Sequence, residues 1–261
     1  MIKWDYHIHT RYCDGKSSPI EMIESAIKMG LTTIGFSGHS YTDFDGSFCM
    51  SLENTELYYE EISALKEKYK DKIRILCGIE QDVFSNLPTD RYDYVIGSSH
   101  YAEKEGICYS VDHTKQILLD DVKAHFDGDI YAYCESYFDT VSKIIERTKP
   151  DIIGHFDLVS KFNEKDCIFD SKHPRYLAAW QNAADKLIPF GKPFEINLGA
   201  ISRGYRSAPY PSEDMIKYIA SRGGKFIMSS DSHSADNICF EFEKWYKWAT
   251  DLGAEFVDLM V

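Results

Sequence analysis

Short apolar runs alternate with amphipathic segments along most of the chain. The apolar runs predict seven strands: Trp4 to His9, Thr33 to Ser37, Ile73 to Gly78, Tyr94 to Ser98, Ile152 to Gly154, Phe194 to Ile196 and Phe226 to Ser229. Helical patterns with apolar residues three and four positions apart separate most of them: Leu57 to Tyr69, Tyr137 to Thr148, Leu177 to Ile188, Met215 to Ala220 and Phe242 to Ala249. This alternation is typical of an α/β barrel or a doubly wound sheet.

The first strand and helix carry the clearest local signals. After the strand, Ser18 can cap a helix, Pro19 can take its first position and Glu21 completes a capping box. Gly30 can then end the helix. We therefore expect a strand, a short loop and a helix in this order from residue 4 to residue 30.

Length and composition favour a single domain. The 261 residues contain no Pro/Gly/Ser-rich tract, low-complexity run or internal repeat that would mark a boundary, so we expect one domain over residues 1–261. The apolar runs are too short to cross a membrane, and the first residues lack the pattern of a signal peptide. We therefore expect a soluble protein with no membrane partner.

The cysteines and the net charge indicate the cellular compartment and the kinds of binding partner that we expect. The seven cysteines are an odd number without a Cys-x-x-Cys pair, which disfavours a disulfide framework or a cysteine zinc site and favours the cytoplasm. The net charge of −13 opposes binding to the phosphates of nucleic acid, although bound divalent cations would still allow one positive cleft. No feature of the sequence indicates an oligomeric state.

Histidines and carboxylates follow the ends of the predicted strands. In a parallel barrel the carboxyl ends of all strands meet at one face, so we expect these side chains to converge although they are far apart in the sequence. Each one alone has a structural alternative, such as a half-exposed strand histidine, an Asx turn, a satisfied core histidine or a salt bridge. Together they predict a site for divalent metal ions with nine candidate ligands: His7, His9, Asp14, His39, Glu80, His100, His155, Asp231 and His233.

Local patterns support this interpretation. Side chains alternate along a strand, so His7 and His9 point to one side and their imidazoles can bind the same ion. Glycine or serine precedes three of the later histidines and lets the backbone approach a metal centre closely. Glu80 follows a strand that should be buried, where an unpaired carboxylate would be costly and a cation is the natural partner.

These motifs resemble those of the polymerase and histidinol phosphatase (PHP) superfamily, and most closely its histidinol-phosphate phosphatase branch. The resemblance covers almost the whole chain and rests on His7-Ile8-His9 with Asp14, Gly38-His39-Ser40, Gly78-Ile79-Glu80, Ser99-His100, Gly154-His155 and Ser230-Asp231-Ser232-His233. It implies a distorted (β/α)7 TIM-like barrel with three divalent metal ions, which are Zn, Mn or Fe. On this resemblance the first ion is held by His7, His9, Glu80 and Asp231, the second by Glu80, His100 and His155, and the third by Asp14, His39 and His233.

The branch assignment rests on Glu195-Ile196-Asn197, Ser202-Arg203-Gly204 and Pro209-Tyr210-Pro211-Ser212. It implies that Arg203 faces the substrate phosphate, where its planar guanidinium can bind two oxygens; the alternative is a solvated loop arginine. Many relatives are expected to have a basic residue where this chain has Ser160, and Lys161 is the candidate substitute. Tyr101 completes the candidate substrate contacts.

We expect the chain to hydrolyse a small phosphate ester, with L-histidinol phosphate as the best single substrate. A metal-bridging hydroxide would attack phosphorus, and the leaving alkoxide would receive a proton from a metal-activated water, from Asp231 or from His233. We also expect the polar segments Tyr41 to Glu53 and Tyr101 to Asp129 to form the substrate wall. Two further hypotheses stay open: a PHP-type enzyme acting on phosphodiesters, nucleotides or other small esters, and a non-catalytic metal-binding barrel.

Overall fold

Parallel strands arranged in two sheets make up the centre of the molecule. We obtained a computed structural model of the chain, which describes residues 2–259. The first sheet has three strands in the order β1 (Trp4–Asp5), β2 (Thr33–Phe36) and β3 (Arg74–Cys77). The second has five, in the order β10 (Phe226–Ser229), β9 (Phe194–Asn197), β8 (Ile152–Ile153), β5 (Val95–Ser98) and β4 (Ile79–Asp82). The fold is therefore mixed α/β with parallel sheets.

Two isolated bridges join the first sheet to the second. Beyond β1, Ile8 forms a parallel bridge with Ser232, which lies beyond β10. Beyond β2, His39 forms a parallel bridge with Glu80 of β4, and only Gly78 separates β3 from β4. Because all these pairings are parallel, the carboxyl ends of the strands lie on the same side of the molecule.

Helices connect the strands. They are α1 (Pro19–Lys28), α2 (Leu52–Tyr69), α3 (Lys115–His125), α4 (Ile130–Val141), α5 (Ile144–Thr148), α6 (Asn163–Asp166), α7 (Pro174–Leu187), α8 (Gly199–Ser202), α9 (Glu213–Ser221) and α10 (Phe242–Asp251). Short 3-10 turns lie at Leu158–Ser160, Ile188–Phe190 and Ala235–Asn237. The capping box predicted for the first helix is confirmed, since Ser18 accepts from the Glu21 amide and the Glu21 carboxylate accepts from the Ser18 amide.

The segment from Tyr101 to Asp129 is more regular than its weak periodicity predicts. It contains an antiparallel hairpin, β6 (Tyr101–Lys104) and β7 (Ile107–Ser110), followed by α3. The hairpin turns at Glu105 and Gly106, which both have positive φ (55° and 81°). Glutamate is not a usual residue for such a turn, so the sequence lacked the signal that would have marked it.

The single helix predicted from Tyr137 to Thr148 was wrong, because the structure has two helices there. The first, α4, ends at Val141 and α5 begins at Ile144. The Ser142 hydroxyl donates to the backbone oxygen of Asp139 at 2.7 Å, a local bond of the kind that competes with helix continuation.

Tyr94 fills a space that two glycines leave between the sheets. Its hydroxyl donates to the backbone oxygens of Tyr6 (2.5 Å) and Phe36 (3.0 Å). A β-carbon at Gly35 would lie 2.5 Å from the Tyr94 hydroxyl oxygen, and one at Gly78 would lie 2.3 Å from the Tyr94 ring. Neither position therefore has room for a side chain while the tyrosine is present.

Two predictions about the environment can be compared with the structure directly. All seven cysteines are free, as the absence of paired spacing predicted. Within residues 2–259, no helix has the length and apolar character needed to cross a membrane.

Candidate metal centre

One buried carboxylate, Glu80, lies at the centre of the predicted ligands. It belongs to β4 and is 1% exposed. Its Oε2 atom is 2.8 Å from Nδ1 of His39, 3.2 Å from Nε2 of His7 and 3.5 Å from Nε2 of His9. These three rings come from the segments that follow β1 and β2, on one side of the carboxylate.

The other oxygen of Glu80 faces the second sheet. Its Oε1 atom is 2.8 Å from Nε2 of His155 and 3.6 Å from Nε2 of His100. These two histidines follow β8 and β5. One carboxylate thus faces five imidazoles, and its two oxygens address different sets of them, which is the geometry of a carboxylate that can bridge two ions.

Asp14 is the centre of a second group, closer to solvent. Its Oδ2 atom is 3.1 Å from Nε2 of His233, and its Oδ1 atom is 3.6 Å from Nε2 of His39 and 3.9 Å from Nδ1 of His9. The Asp14 side chain is 33% exposed, whereas that of His9 is fully buried. This group therefore forms the outer part of the cluster, on the side that substrates can reach.

Asp231 approaches the inner part of the cluster from β10. Its Oδ1 atom is 3.2 Å from Nε2 of His9 and 3.8 Å from Nε2 of His7. Asp231 has a positive φ of 48°, and a β-carbon at Gly199 would lie only 2.4 Å from its Oδ2 atom. The carboxylate thus depends on an uncommon backbone conformation and on a glycine in the neighbouring segment.

The structure brings all nine predicted ligands together. Seven of them form three groups whose ligand atoms all lie within 4.8 Å of one another: His9, Asp14, His39 and His233; His7, His9 and Glu80; and His39, Glu80 and His100. The other two adjoin these groups, His155 at 2.8 Å from Glu80 and Asp231 at 3.2 Å from His9. The groups overlap with the sets implied by the resemblance but are not identical to them, because His9 and His39 each belong to two. The assignment of each ligand to a particular ion stays a prediction.

Unpartnered buried atoms test whether these residues fit metal ions. Among the described residues, Nε2 of His7, Nε2 of His9, Nδ1 of His39 and Oε2 of Glu80 are buried and make no hydrogen bond. They nevertheless lie close together and point at one another. Buried nitrogen and oxygen donors without hydrogen-bond partners are costly unless a cation is bound, so this donor set fits divalent metal ions.

The electrostatics of the cluster also favour a cation. Burial would raise the pKa of Glu80, but His39, His7 and other nearby imidazoles hold it well below its usual value. Burial would lower the pKa of His7, but the carboxylates of Glu195, Glu80 and Asp231 hold it well above its usual value. The carboxylates and the imidazoles thus stabilise each other's charged forms, and a bound metal ion can take the place of the imidazole protons as the positive charge beside the carboxylates.

Two further carboxylates orient imidazoles from behind. Oε1 of Glu195 lies 2.5 Å from Nδ1 of His7, and Oδ2 of Asp82 lies 3.0 Å from Nδ1 of His100. In each case the Nδ1–H donates to the carboxylate, which leaves Nε2 free to face the cluster. Glu195 also accepts from the backbone amide of His155 at 2.8 Å, so it joins two ligand segments.

A cavity of about 270 Å³ opens above the cluster. Its lining includes four of the predicted ligand histidines, the carboxylates of Asp14, Asp112 and Asp231, and the cations of Lys161 and Arg203. Ser47 and Phe48 come from one of the two polar segments predicted to form the substrate wall, and Ser110, Asp112 and His113 come from the other. Both segments therefore border the same cavity as the candidate ligands.

A comparison with family models decides the family. The PHP domain model matches residues 5–198, about three quarters of the chain. The chain belongs to the PHP domain family.

The chain is also similar to individual proteins in sequence and in structure. It is 27% identical to the histidinol-phosphatase of Bacillus subtilis over 267 residues, which cover 93% of this chain and 98% of that protein. It matches the crystal structure of the histidinol phosphate phosphatase of Lactococcus lactis in complex with zinc, L-histidinol and phosphate with a TM-score of 0.74 at 23% identity, over 98% of this chain and 95% of that one. It is 34% identical over 157 residues to the DNA polymerase/3′-5′ exonuclease PolX of B. subtilis, which covers 56% of this chain and 27% of that protein.

The residues predicted to contact the substrate differ in their position relative to the cavity above the candidate ligands. Arg203 and Lys161 line the cavity. The Arg203 guanidinium lies 3.1 Å from Oδ2 of Asp231 and 2.5 Å from Nδ1 of His233, so it is an oriented group at the ligands and not a solvated loop residue. Lys161 lies 3.1 Å from a carboxylate oxygen of Asp112.

The other two contacts lie behind the wall of this cavity. Tyr101 is 2% exposed, and its hydroxyl donates to Asp45 at 2.8 Å, which ties β6 to the segment that carries Phe48. Ser160 borders a neighbouring cleft of about 420 Å³, where its hydroxyl accepts from Arg206 at 2.6 Å. Direct contacts of Tyr101 and Ser160 with a substrate stay predictions.

The roles of Glu195, Asp82 and Gly199 were not predicted from the sequence. A glutamate within a strand predicted to be buried, such as Glu195, is a usable signal for a buried ion pair or hydrogen bond. Asp82 lies two positions after Glu80 on the same strand, which places both side chains on one face. No sequence signal connects Gly199 with Asp231, because their contact depends on how β9 and β10 continue beyond the sheet.

Proposed function

We propose that the chain is a metal-dependent histidinol-phosphate phosphatase that converts L-histidinol phosphate and water into L-histidinol and phosphate. The observation that carries this proposal is the position of Glu80, whose two oxygens face five imidazoles beneath a cavity lined by Arg203 and Lys161. A buried cluster of this kind fits metal ions, and cations on the wall above it fit a phosphate ester. The names of its relatives support the choice of ester.

We also propose that the two sheets form one distorted (β/α)7 barrel and that residues 1–261 are one phosphoesterase domain. The bridge at Ile8 joins the segments after the outer strands β1 and β10, and the bridge at His39 joins the segment after β2 to β4. Because β3 also continues into β4 across Gly78, the two sheets are connected on both sides, which supports this proposal. The buried cluster formed by Tyr6, Leu76, Tyr94, Ile96, Ile152 and Ile227 draws on strands of both sheets, as the interior of a closed barrel would.

Three divalent ions, of Zn, Mn or Fe, are the proposed cofactors. The nine candidate ligands would hold them, with Glu80 between the first and the second. When bound, such ions supply Lewis acidity toward phosphate oxygens and make a bound water more acidic. A cytoplasmic location and a small-molecule substrate complete the proposal.

The residues around the cavity would orient the ester. Arg203 is held by Asp231 and His233, so its guanidinium is positioned before the substrate arrives. It can bind the equatorial oxygens of phosphorus, on which charge accumulates in phosphoryl transfer. Asp231 and His233 border the same cavity and, with a metal-activated water, are the proposed sources of the proton for the leaving alkoxide oxygen. Burial would raise the pKa of Asp231, but Arg203 and His7 hold it well below its usual value, so Asp231 can donate only a proton that it first takes from a bound water.

A phosphate-release assay tests the proposal. The purified chain is freed of metal with a chelator, reloaded with Mn, Zn or Fe, and assayed with histidinol phosphate, sugar phosphates, nucleotides and a phosphodiester. We expect the highest kcat/KM with histidinol phosphate. The proposal fails if histidinol phosphate is hydrolysed no faster than the other monoesters in every metal form.

Two variants connect the activity with the cluster. The variant His155→Ala should lose bound metal and phosphatase activity, because the imidazole lies 2.8 Å from Glu80. The matched control is His125→Ala at the exposed end of α3, which should keep both. Equal metal content and activity in the two variants would contradict the ligand assignment.

A phosphodiesterase or exonuclease is the second candidate, because the chain is 34% identical to part of PolX over 157 residues. The net charge of −13 opposes a long nucleic acid partner. Faster hydrolysis of the phosphodiester than of any monoester in the same assay would favour this candidate.

A further inference from the structure

One carboxylate of the cavity wall has no place in the proposed metal centre. Of the three aspartates that line the cavity, Asp14 and Asp231 are candidate ligands, and Asp112 is not. Asp112 follows β7, so the hairpin carries it to the cavity from outside the parallel sheets. Val111, directly before it, is anchored by a backbone hydrogen bond to the oxygen of His100 at 3.0 Å.

Asp112 is ionised and only partly satisfied. Burial would raise its pKa, but Lys161 and His100 hold it below the usual value. The Lys161 ammonium donates to the backbone oxygen of Asp112 at 2.8 Å and to its Oδ2 atom at 3.1 Å. Oδ1 has no hydrogen-bond partner within the part of the chain that the structure describes, and the side chain is 22% exposed toward the cavity.

The proposed substrate has a group that requires such a carboxylate. Histidinol phosphate is the phosphate ester of an amino alcohol, and near neutral pH its amine is a cation next to the carbon that bears the ester. The metal centre, Arg203 and Lys161 are all suited to the anionic phosphate. None of them can accept a hydrogen bond from an ammonium group, and Asp14 and Asp231 already face imidazoles.

We propose that Asp112 accepts the ammonium group of the substrate and makes the enzyme selective for amino alcohol phosphates. This inference rests on the proposed function and assigns its selectivity to one side chain. The free Oδ1 atom binds the ammonium while Oδ2 stays paired with Lys161. The hairpin is then a specificity element that approaches the substrate from above the metal centre.

A rival role for Asp112 makes a different prediction. If the aspartate only orients Lys161 toward the phosphate, its removal weakens the binding of every phosphate ester equally, because every ester presents the same phosphate. If it binds the ammonium group, its removal weakens the binding only of esters that carry an amine. The two roles therefore separate when one variant is assayed with a pair of esters that differ in the amine alone.

The experiment compares Asp112→Asn with the wild type in the metal-loaded enzyme. The substrates are histidinol phosphate and imidazolylpropyl phosphate, which is the same ester without its amino group. We expect kcat/KM for histidinol phosphate to fall by about 10- to 100-fold, mostly through KM, since a charge-assisted hydrogen bond is lost. For the ester without the amine we expect a change of less than about threefold.

A matched control removes a similar ion pair that does not line the cavity. Asp166 of α6 lies 2.7 Å from Lys115 of α3, the helix that follows the hairpin. Like Asp112→Asn, the variant Asp166→Asn therefore breaks an ion pair between an aspartate and a lysine. Its kcat/KM should match that of the wild type with both esters. The variant Lys161→Met should show the opposite pattern, in which kcat/KM falls equally with both esters.

Four outcomes are informative. A selective loss with histidinol phosphate supports the inference, and an equal loss with both esters overturns it while leaving the proposed function intact. If the wild type hydrolyses other monoesters but not histidinol phosphate, the proposed function fails and the inference fails with it. Thermal unfolding of Asp112→Asn checks that the variant is folded, and a fully folded variant with unchanged kinetics also overturns the inference.

Discussion

Replacing Glu195 with glutamine should weaken metal binding although Glu195 is not a candidate ligand. Its Oε2 atom accepts from the His155 amide (2.8 Å) and from the side-chain amide of Asn197 (3.0 Å), and its Oε1 atom accepts from Nδ1 of His7 (2.5 Å). Glutamine has one acceptor oxygen. If that oxygen keeps the two amide donors, its NH2 group faces His7, and the ring must move its proton from Nδ1 to Nε2.

The magnitude follows from this change of tautomer. Nε2 of His7 is the atom that faces Glu80 at 3.2 Å, and a protonated nitrogen cannot bind a cation. A hydrogen bond to a charged group contributes about 1.5–3 kcal/mol, and removing a carboxylate behind a ligand histidine commonly weakens metal affinity about 10- to 100-fold. We expect Glu195→Gln to raise the metal dissociation constant by about that factor, or about 1.4–2.7 kcal/mol.

The assay is a competition between the protein and a chromophoric chelator. Nitrogen chemical shifts of the His7 ring report the tautomer when they are recorded in the metal-free protein at a pH above the raised pKa of His7, where the ring is neutral. A purely structural role of Glu195 would not change that tautomer. Activity at saturating metal should recover in part, because the other candidate ligands remain.

The control is Asp151→Asn. Asp151 also accepts from a backbone amide, that of Val95 at 3.0 Å, but it precedes β8 and so lies at the opposite end of the strands from the cluster. That variant should lose stability without losing metal affinity. If Glu195→Gln binds metal as tightly as the wild type, or if both variants lose affinity equally, the proposed orientation of His7 is refuted.

Two further predictions concern backbone space and pH. In Gly199→Ala the new β-carbon would meet Asp231, so kcat/KM should fall at least about tenfold, whereas Gly46→Ala, where nothing lies within 4 Å, should leave kinetics unchanged. Asp129→Ala removes the cap of α4 and the ion pair with Arg175, and should lower the free energy of unfolding by about 1–2 kcal/mol at pH 7. The hydrogen bond from Arg175 lowers the folded-state pKa of Asp129 below 3.8, so its contribution is present above that pH and is lost as pH falls further; the wild type and the variant should converge in urea unfolding at acidic pH.

The approach of the nine candidate ligands could be predicted because residues at the carboxyl ends of parallel strands lie close together in space even when they are far apart in the sequence. Each ligand except Asp14, which lies in the loop between β1 and α1, is in a strand or within a few residues of its end, and parallel strands end on one side of the molecule. Residues as remote as His7 and Asp231 therefore converge whatever the lengths of the helices between them. The same argument predicted the alternation of strands and helices, since it depends only on where apolar runs begin and end.

The partners of these ligands required atomic coordinates. The contact between Glu195 and His7 depends on the relative positions of two strands that are not neighbours in the sequence. The contact between Gly199 and Asp231 depends on the positive φ of Asp231, and an aspartate in the sequence does not by itself predict a positive φ. The β6–β7 hairpin was missed because its turn has a glutamate at a position that usually has glycine or asparagine, and this hairpin carries Asp112 to the cavity.

The packing of Tyr94 against Gly35 and Gly78 links a position in β2, the residue between β3 and β4, and the residue before β5. Because a β-carbon at either glycine would overlap the tyrosine, an alanine at residue 78 becomes tolerable only after residue 94 has become smaller. Such a change would leave the backbone oxygens of Tyr6 and Phe36 without the hydroxyl that now donates to them. Compensatory substitutions must therefore arise in a fixed order, with the aromatic residue replaced first, and random mutagenesis of one position alone should recover few active clones.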